Sequence, residues 1–227
     1  MFKTETHLHT KDSSPCGFIK AITMVRRYAE AGYSTLFITD HLTGGFSDKL
    51  GDLPWNDKVT IFLAGYYRAR LEGEKLGVRV LMAAEVGLRD YPKNHYLVYN
   101  IDKAFLEKCE HIFDMNIEQF CDFAHAHGAF VVQAHPFRDG HCFPTPQCID
   151  ALEVHNPNPR HENDDERCMA VAAEHHLPMT AGSDAHRDED VTGTGILTEE
   201  KIECAADYLR LLQNGGVQIY YPAQEEA

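Results

Sequence analysis

Short apolar segments that end in polar residues alternate with amphipathic segments along most of this chain. Residues 2–9 form the first predicted strand, and residues 18–32 follow it with apolar side chains at helical spacing. Residues 35–39 form an apolar segment, which leads into Asp40 and His41. A strand, a polar tip and a helix recur in this way about seven times, and such alternation is typical of a parallel α/β fold.

The later segments continue this order and fit one domain over residues 1–227. The further predicted strands are 78–86, 95–99, 129–134, 151–154, 178–181 and 217–221. The further predicted helices are 57–77, 116–127, 163–176 and 199–213. The glycine-containing stretch at 42–56 is long enough to form a lid or the rim of a site. The acidic tail at Glu225 and Glu226 is expected to be disordered.

Polar residues, most of them of metal-ligating types, occur at the carboxyl ends of the predicted strands. They are His7, His9, His41, Glu85, His135, Asn156, Asp184 and His186. A closed barrel gathers all such strand ends around one mouth, whereas an open sheet gathers fewer of them at one crevice. Both architectures fit the alternation, but the number of polar strand ends favours the barrel.

The spacing of these residues favours metal binding. His7 and His9 are two apart in a strand, so their side chains point to the same face, and Asp184 and His186 repeat that spacing. Glu85 lies in an apolar strand, where a carboxylate either ligates a cation or pairs with a buried Lys or Arg. Imidazoles and carboxylates suit Zn²⁺, Mn²⁺ or Fe²⁺. More ligands converge than one ion needs, which predicts two or three ions.

Composition narrows the possible partners and the compartment. The formal charge of −14 argues against nucleic-acid binding, except to a short oligonucleotide or nucleotide substrate, because broad binding needs clustered Lys and Arg. The longest apolar runs are too short to cross a bilayer, and the N-terminus lacks a secretory signal. The seven cysteines form no C-x-x-C pair and are expected to be free thiols. We therefore expect a cytoplasmic protein; its sequence specifies no oligomeric state.

Short motifs at the strand ends run through nearly the whole chain. They are His7-Leu8-His9-Thr10, Thr39-Asp40-His41, Glu85 with His95, Ala134-His135-Pro136, Glu153-Val154-His155-Asn156 and Gly182-Ser183-Asp184-Ala185-His186. Together, and in this order, they resemble the polymerase-and-histidinol-phosphatase (PHP) family of metal-dependent phosphoesterases. The resemblance implies a distorted seven-stranded (β/α) barrel, similar to a TIM barrel, with up to three metal ions.

The resemblance also implies which residues hold each ion. One ion would be held by His7, His9, Glu85 and Asp184. A second would be held by Glu85, His95 and His135. The third would be held by His41, His186 and a residue of the loop after His9, for which Asp12 is the best candidate. In this arrangement the Glu85 carboxylate bridges two cations.

The reaction that the resemblance implies is hydrolysis of a small-molecule phosphomonoester or phosphodiester. A hydroxide that bridges two metals would attack phosphorus, and His155 is a candidate acid for the leaving group. Arg138 and Arg160 follow strand tips and could clamp the phosphate, although ordinary surface charges would explain them as well. Asp40 is expected to hold a ligand imidazole rather than a metal.

Two other functions remain open. Metal-dependent amidohydrolase barrels also begin with His-x-His, but Asp184-x-His186 and Asp40-His41 exceed their pattern. Hydrolysis of lactones or amides, with phosphoesters untouched, would favour that class. The chain could also be a catalytically silent module that binds metal and a partner. Firmly bound metal without turnover of any ester would favour this alternative.

Overall fold

A computed structural model describes residues 1–191 and 193–222. The predicted acidic tail at Glu225 and Glu226 lies outside these residues. The strands are β1 Phe2–Leu8, β2 Tyr33–Ile38, β3 His41–Thr43, β4 Arg79–Met82, β5 Ala84–Gly87, β6 His95–Tyr99, β7 Phe130–Ala134, β8 Ala151–His155, β9 Met179–Ala181, β10 Gly195–Thr198 and β11 Gln218–Tyr220. The α-helices are α1 Ala21–Glu30, α2 Gly44–Lys49, α3 Trp55–Phe62, α4 Ala64–Leu76, α5 Lys103–Glu107, α6 Ile117–Ala126, α7 Asp165–Glu174 and α8 Ala205–Gln213.

The strands form two sheets in a mixed α/β fold. One sheet has the order β11-β10-β1-β2-β4, and the other has the order β3-β5-β6-β7-β8-β9. The expected parallel pairing occurs between β1 and β2, β2 and β4, β3 and β5, β7 and β8, and β8 and β9. β6 pairs antiparallel with both neighbours, because it follows β5 through a loop without a helix and so reverses direction. The predicted α/β class is confirmed; the pairing of the described strands forms two sheets and does not by itself show a closed barrel of seven strands.

On one side, the chain crosses between the sheets at two neighbouring points. β2 leads into β3, and β4 leads into β5, after a short break in each case. At the breaks, the N–H of Ala83 donates to the carbonyl of Ile38 (3.0 Å), and the N–H of Glu85 donates to that of Asp40 (3.1 Å). The single strand expected over 78–86 is therefore bent from one sheet into the other, and Glu85 follows the bend.

On the other side, the sheets meet where β1 ends beside the segment that follows β9. The N–H of Asp184 donates to the carbonyl of His7 (2.8 Å), and the N–H of His9 donates to that of Ala185 (3.0 Å). Leu8 and Ala185 form an isolated parallel bridge. Two polar strand ends that are far apart in sequence are therefore held side by side.

Aromatic side chains fill the space between the sheets. Tyr99 of β6 packs edge-on against Phe37 of β2, with ring centroids 5.0 Å apart, and against Tyr208 of α8 at 5.1 Å. The Tyr99 hydroxyl donates to the carbonyl of Thr6 (2.8 Å). Because the interior is packed, a site can form only near the ends of the strands.

The amphipathic segments cover the sheets as helices. In α1, Met24, Val25 and Tyr28 are buried, and the turn after the helix uses Gly32 at φ +79°. The helix predicted over 57–77 is divided into α3 and α4 at the buried residue Leu63. Across residues 1–191 and 193–222, every helix is too short or too polar to span a membrane.

The segment predicted as a lid or rim contains regular structure and is packed against the body of the protein. It includes β3 and α2, and the Thr43 side chain caps α2 by accepting from the N–H of Phe46 (3.2 Å). Phe46 is buried, and the Lys58 ammonium donates to the carbonyl of Ser47 (3.0 Å). These contacts hold the segment at a surface depression that Cys16, His41 and His95 also line.

Candidate metal centre

The ends of strands from both sheets bring a set of imidazoles and carboxylates together. We call this set the ligand cluster; it consists of His7, His9, His41, Glu85, His95, His135, Asp184 and His186. Within it, several groups of three side chains have ligand atoms within 4.8 Å of one another. These groups are His9, His41 and His186; His7, His9 and Glu85; His7, His135 and Asp184; and His41, Glu85 and His95. Ligand atoms this close together could coordinate the same cation.

The Glu85 carboxylate lies at the centre of the ligand cluster and is fully buried. Its Oε1 lies 3.1 Å from both His95 Nδ1 and His135 Nε2. Its Oε2 lies 2.6 Å from His41 Nδ1 and 3.4 Å from His9 Nε2. The two oxygens therefore face different sets of imidazoles, and no Lys or Arg pairs with Glu85 among the described residues.

His7, His9 and Asp184 form the deepest part of the ligand cluster. His7 Nε2 and His9 Nε2 are 3.1 Å apart, and Asp184 Oδ1 lies 3.0 Å from His9 Nε2 and 3.4 Å from His7 Nε2. The His9 ring lies between those of His41 and His186, with centroid separations of 4.2 Å to each. The strand spacing predicted for His7 and His9 thus gives two side chains that converge.

Some carboxylate oxygens of the ligand cluster lack hydrogen-bond partners although they are buried. Among the described residues, neither Glu85 Oε2 nor Asp184 Oδ1 has a partner in hydrogen-bond geometry, despite the short distances to imidazole nitrogens. Buried carboxylate oxygens are nearly always satisfied in folded proteins. Divalent cations at the centre of the cluster would satisfy them, so the residues present fit a metal site.

The protonation states of the cluster agree with this fit. Burial would raise the pKa of Glu85 and Asp184, but neighbouring imidazoles, and Arg138 beside Asp184, lower both pKa values well below their usual range. Burial lowers the pKa of His9, and it lowers the pKa of His135 to about 4. Ionised carboxylates and neutral imidazoles are the forms that bind metal.

Acidic neighbours raise the pKa of other imidazoles of the cluster. Burial would lower the pKa values of His7 and His41, but Glu153 and Glu85, respectively, raise them well above the usual range. Burial would likewise lower the pKa of His186, but Cys16 and Asp184 raise it. A bound cation replaces the protons of these imidazoles, so metal binding is expected to release them.

Glu153 on β8 orients His7 from outside the ligand cluster. Its Oε1 lies 2.9 Å from His7 Nδ1, while Oε2 accepts from the N–H of His135 (2.9 Å) and from Asn156 Nδ2 (2.8 Å). Gly182 leaves room for this contact, because a Cβ there would lie 2.4 Å from the His7 Cβ and 2.9 Å from Glu153 Oε1. Sequence reasoning missed this role of Glu153, although a carboxylate in a buried strand was the same signal that pointed to Glu85.

Two ligand-cluster residues have left-handed backbone conformations. His135 has φ +31° and Asp184 has φ +51°, values that non-glycine residues seldom adopt. Arg138 Nη1 donates to Asp184 Oδ2 (2.6 Å), which holds that side chain in place. Backbone strain of this kind is concentrated at functional sites.

Asp40 holds a loop rather than an imidazole. Its Oδ1 accepts from the N–H of Thr10 (2.6 Å) and the hydroxyl of Ser14 (2.7 Å), and its Oδ2 accepts from the hydroxyl of Thr10 (2.8 Å). Burial raises the pKa of Asp40 to about 6, and these hydrogen bonds limit the rise. Ser14 Oγ also accepts from the N–H of His41 (2.9 Å). Asp40 therefore fixes the loop after β1 next to a ligand-cluster residue.

The structure does not bring Asp12 into the ligand cluster. One Asp12 oxygen accepts from the N–H of Ala21 at the start of α1 (2.7 Å), and the other accepts from Arg68 Nη1 (2.7 Å). Cys16, further along the same loop, lines a cavity together with His41 and His186 instead. Sequence reasoning treated the cysteines only as scattered thiols.

The two arginines predicted to bind phosphate are engaged within the protein. Arg138 is buried, and its Nη2 donates to Asn156 Oδ1 (2.7 Å) in addition to the contact with Asp184. Arg160 donates through both terminal nitrogens to the Asp190 carboxylate, at 2.6 Å each. Both guanidinium groups therefore position neighbouring segments.

His155 lies outside the cavity over the ligand cluster. Its Nδ1 is 2.5 Å from Asp165 Oδ2, and its ring faces a separate shallow depression. The cavity over the cluster has a volume of about 300 Å³. Side chains outside the cluster that line it include Lys93, Asp139, His141 and His161. A more open depression of about 550 Å³ beside Phe18 and Arg187 is not lined by any ligand-cluster residue.

Comparison with known proteins gives matches at the level of fold and family. The sequence model of a family described as PHP-associated matches residues 162–217, which include Asp184 and His186. A two-domain protein from Bacteroides vulgatus that contains a predicted PHP-like metal-dependent phosphoesterase is similar at 17% identity, with a TM-score of 0.71. The match covers 97% of this chain and 64% of that one.

Two further solved structures are similar over their whole length. A protein from Bifidobacterium adolescentis that is provisionally described as a metal-dependent phosphoesterase matches at 16% identity and a TM-score of 0.54, covering 96% of this chain and 97% of that one. An amidohydrolase from Chromobacterium violaceum, solved with sulfate and no metal, matches at 17% identity and a TM-score of 0.58, covering 99% of this chain and 100% of that one. No curated protein sequence matches the chain. At these identities the structural likeness shows the fold.

Proposed function

We propose, on the basis of the PHP family assignment that the family match and the structural neighbours support, that this chain is a metal-dependent hydrolase of phosphoesters. The observation that carries the proposal is the buried Glu85 carboxylate, whose two oxygens face different imidazoles and whose Oε2 has no hydrogen-bond partner among the described residues. The two sheets would be the halves of a distorted barrel, with the ligand cluster at its mouth.

The residues of the ligand cluster would hold two or three divalent cations. Nitrogen and oxygen ligands of this kind suit Zn²⁺, Mn²⁺ or Fe²⁺. When bound, the cations would supply Lewis acidity, which acidifies a coordinated water and offsets negative charge on phosphoryl oxygens. The role of Glu153 would be to hold the His7 imidazole with Nε2 toward the cations, through the bond to Nδ1.

Lys93 is the cation best situated to bind the phosphate of the substrate. It is exposed at the lining of the cavity, and it has no carboxylate partner among the residues that the structure describes. Arg138 also lines the cavity but already donates to Asp184 and Asn156, and Arg160 donates to Asp190, so Lys93 is the freer cation. We assign phosphate recognition to Lys93, acting as a point charge.

His161 is the residue best situated to donate a proton to the leaving group. It lines the cavity, and its Nδ1 lies 2.7 Å from Asp139 Oδ2. Asp139 is itself held, because its Oδ1 accepts from the N–H of Glu162 (2.9 Å). An imidazole oriented by a carboxylate through Nδ1 presents Nε2 to the substrate. His155 has a similar carboxylate partner but lies outside this cavity.

A second candidate function is hydrolysis of amides or lactones. The likeness to the amidohydrolase from Chromobacterium violaceum favours it, since that protein matches this chain over its full length. A metal cluster of this type can also polarise a carbonyl. The two candidates differ in substrate, so activity assays separate them directly.

The test is hydrolysis after metal reconstitution. Protein stripped with a chelator and reloaded with Mn²⁺ or Zn²⁺ should release p-nitrophenol from p-nitrophenyl phosphate or its diester. His41→Ala should abolish this release, whereas His125→Ala, on the surface beside Asp150, should leave it unchanged. Hydrolysis of amides or lactones alone would support the second candidate. Bound metal without turnover of any of these substrates would indicate a silent metal-binding module.

A further inference from the structure

We propose that Cys16 is a metal ligand and completes, with His41 and His186, the third cation position of the ligand cluster. This inference rests on the proposed function, because it requires that the cluster binds divalent cations. It goes beyond that function by assigning a sulfur ligand to a position for which the sequence suggested the oxygen ligand Asp12. The assignment depends on three structural features.

The first feature is the convergence of the thiol with two imidazoles. Cys16 lines the same cavity as His41 and His186, and it also lines a neighbouring depression together with His41 and His95. His41 Nε2 and His186 Nε2 lie 3.4 Å apart. Sulfur and two nitrogens brought together in this way form a set of soft and borderline ligands.

The second feature is the presence of unsatisfied buried carboxylate oxygens beside the Nδ1 atoms of the same two imidazoles, on residues that line the same cavity. Glu85 Oε2 lies 2.6 Å from His41 Nδ1, and Asp184 Oδ1 lies 3.4 Å from His186 Nδ1. Neither oxygen has a hydrogen-bond partner within the described part of the chain, and both side chains are at least nine-tenths buried. A cation between the imidazoles and the thiol would be attracted to both oxygens.

The third feature is the rigidity of the loop that carries Cys16. Ser14 is held by Asp40, and the N–H of Gly17 donates to the carbonyl of Ser14 (3.0 Å). The N–H of Phe18 donates to the carbonyl of His186 (2.8 Å), which ties the loop directly to the strand end that carries a ligand. Gly17 lets the loop approach this closely, because a Cβ there would lie 2.7 Å from the Thr10 carbonyl carbon.

A thiolate ligand changes the metal preference of this position. On binding, the Cys16 thiol would release its proton to solvent and the sulfur would form a bond to the cation. Sulfur favours Zn²⁺ and Co²⁺ over Mn²⁺ and Mg²⁺, which prefer oxygen ligands. The third position is therefore expected to select Zn²⁺ more strongly than the position formed by His7, His9, Glu85 and Asp184.

Cobalt substitution tests the sulfur ligand spectroscopically. The Co²⁺-loaded chain should show a near-ultraviolet sulfur-to-cobalt charge-transfer band, in addition to visible ligand-field bands. Cys16→Ser should remove the charge-transfer band and keep ligand-field bands, since the other positions retain their ligands. Cys204→Ser is the matched control, because Cys204 is the other exposed cysteine and caps α8 away from the cavity.

Alkylation of the wild-type chain gives a second readout. Loading with Zn²⁺ should slow the reaction of Cys16 with iodoacetamide by about tenfold or more, because a metal-bound thiolate is a poor nucleophile. The rate at Cys204, measured in the same digest by mass spectrometry, should not change. Cobalt ligand-field bands without a charge-transfer band, together with equal alkylation of Cys16 with and without Zn²⁺, would overturn the assignment of Cys16 and leave the phosphoesterase proposal intact. Absence of any cobalt spectrum would overturn both.

Discussion

Glu153 Oε1 lies 2.9 Å from Nδ1 of His7, while Nε2 on the other edge of the ring lies 3.1 Å from His9 Nε2. The contact fixes the orientation of the imidazole, and it joins a residue of β8 to one of β1. Both side chains are buried, so water does not compete for this contact. The pair is therefore a point at which the fold controls the geometry of the proposed metal site.

We predict that Glu153→Gln weakens metal binding by about 10–100-fold, because a positioned imidazole loses its charged partner. Competition with a chromophoric chelator measures this affinity. Asp165→Asn is the matched control: it removes the same kind of carboxylate contact from His155, outside the cavity. An equal loss of affinity in both variants would show that Glu153 has no special role.

Gly182→Ala should disrupt the same contact by steric means. The added Cβ would lie 2.4 Å from the His7 Cβ and 2.9 Å from the His7 backbone nitrogen, and neither atom can move away without shifting the β1 backbone. We expect a loss of about 1–3 kcal/mol in the free energy of unfolding and a loss of bound metal. Gly45→Ala is the control, since its Cβ would meet only Thr43 Oγ1 at 3.8 Å. Urea unfolding and metal analysis of the two variants check this; normal metal content in Gly182→Ala would count against it.

Lys93→Met should raise KM for a phosphoester by about tenfold or more with a smaller effect on kcat, because a charged hydrogen bond of about 1.5–3 kcal/mol is lost in the bound substrate. Steady-state kinetics on the reconstituted enzyme measures both constants. Lys103→Met is the control, because Lys103 pairs with Glu107 on α5 and does not line the cavity. An unchanged KM in Lys93→Met would remove Lys93 from the proposed phosphate site.

Asp190 should make the stability of the fold depend on pH. Burial would raise the pKa of this carboxyl, but Arg160 and the backbone N–H groups of His186 and Arg187 lower it below the usual value of 3.8. A carboxyl with a lowered pKa in the folded chain stabilises the fold above its unfolded pKa, and this contribution is lost as pH falls through the folded pKa.

Asp190→Asn should therefore lower the free energy of unfolding by about 2 kcal/mol at neutral pH, and the difference from wild type should shrink below about pH 4. Urea titrations across this pH range measure it. The exposed neighbour Glu189 provides the control: Glu189→Gln should change stability by less than about 0.5 kcal/mol. A difference for Asp190→Asn that stays constant down to about pH 3 would refute the linkage.

The sequence was informative where a pattern is local. The alternation of His7 and His9 in a strand, and of Asp184 and His186, gave residue pairs that the structure brings to one place. Glu85 stood out because a carboxylate is rare within an apolar strand. The α/β class followed from the alternation of strands and helices.

The sequence was uninformative where the geometry depends on distant partners. The division of 78–86 into two strands follows from hydrogen bonds to Ile38 and Asp40, which local propensity does not encode. The loop after His9 turns Asp12 toward Arg68 and places Cys16 in the cavity lining with His41, because Asp40 holds Thr10 and Ser14. The engagement of Arg138 and Arg160 with buried carboxylates was likewise invisible without coordinates.

Anomalous scattering from crystals of protein purified without chelator tests the central claim most directly. Data collected at the absorption edges of Zn, Fe and Mn locate each metal and identify it. We predict two or three peaks inside the ligand cluster, with Glu85 oxygens at about 2.0–2.2 Å from more than one of them. A cluster without anomalous peaks after soaking in these metals, with Glu85 unchanged in position, would contradict the account.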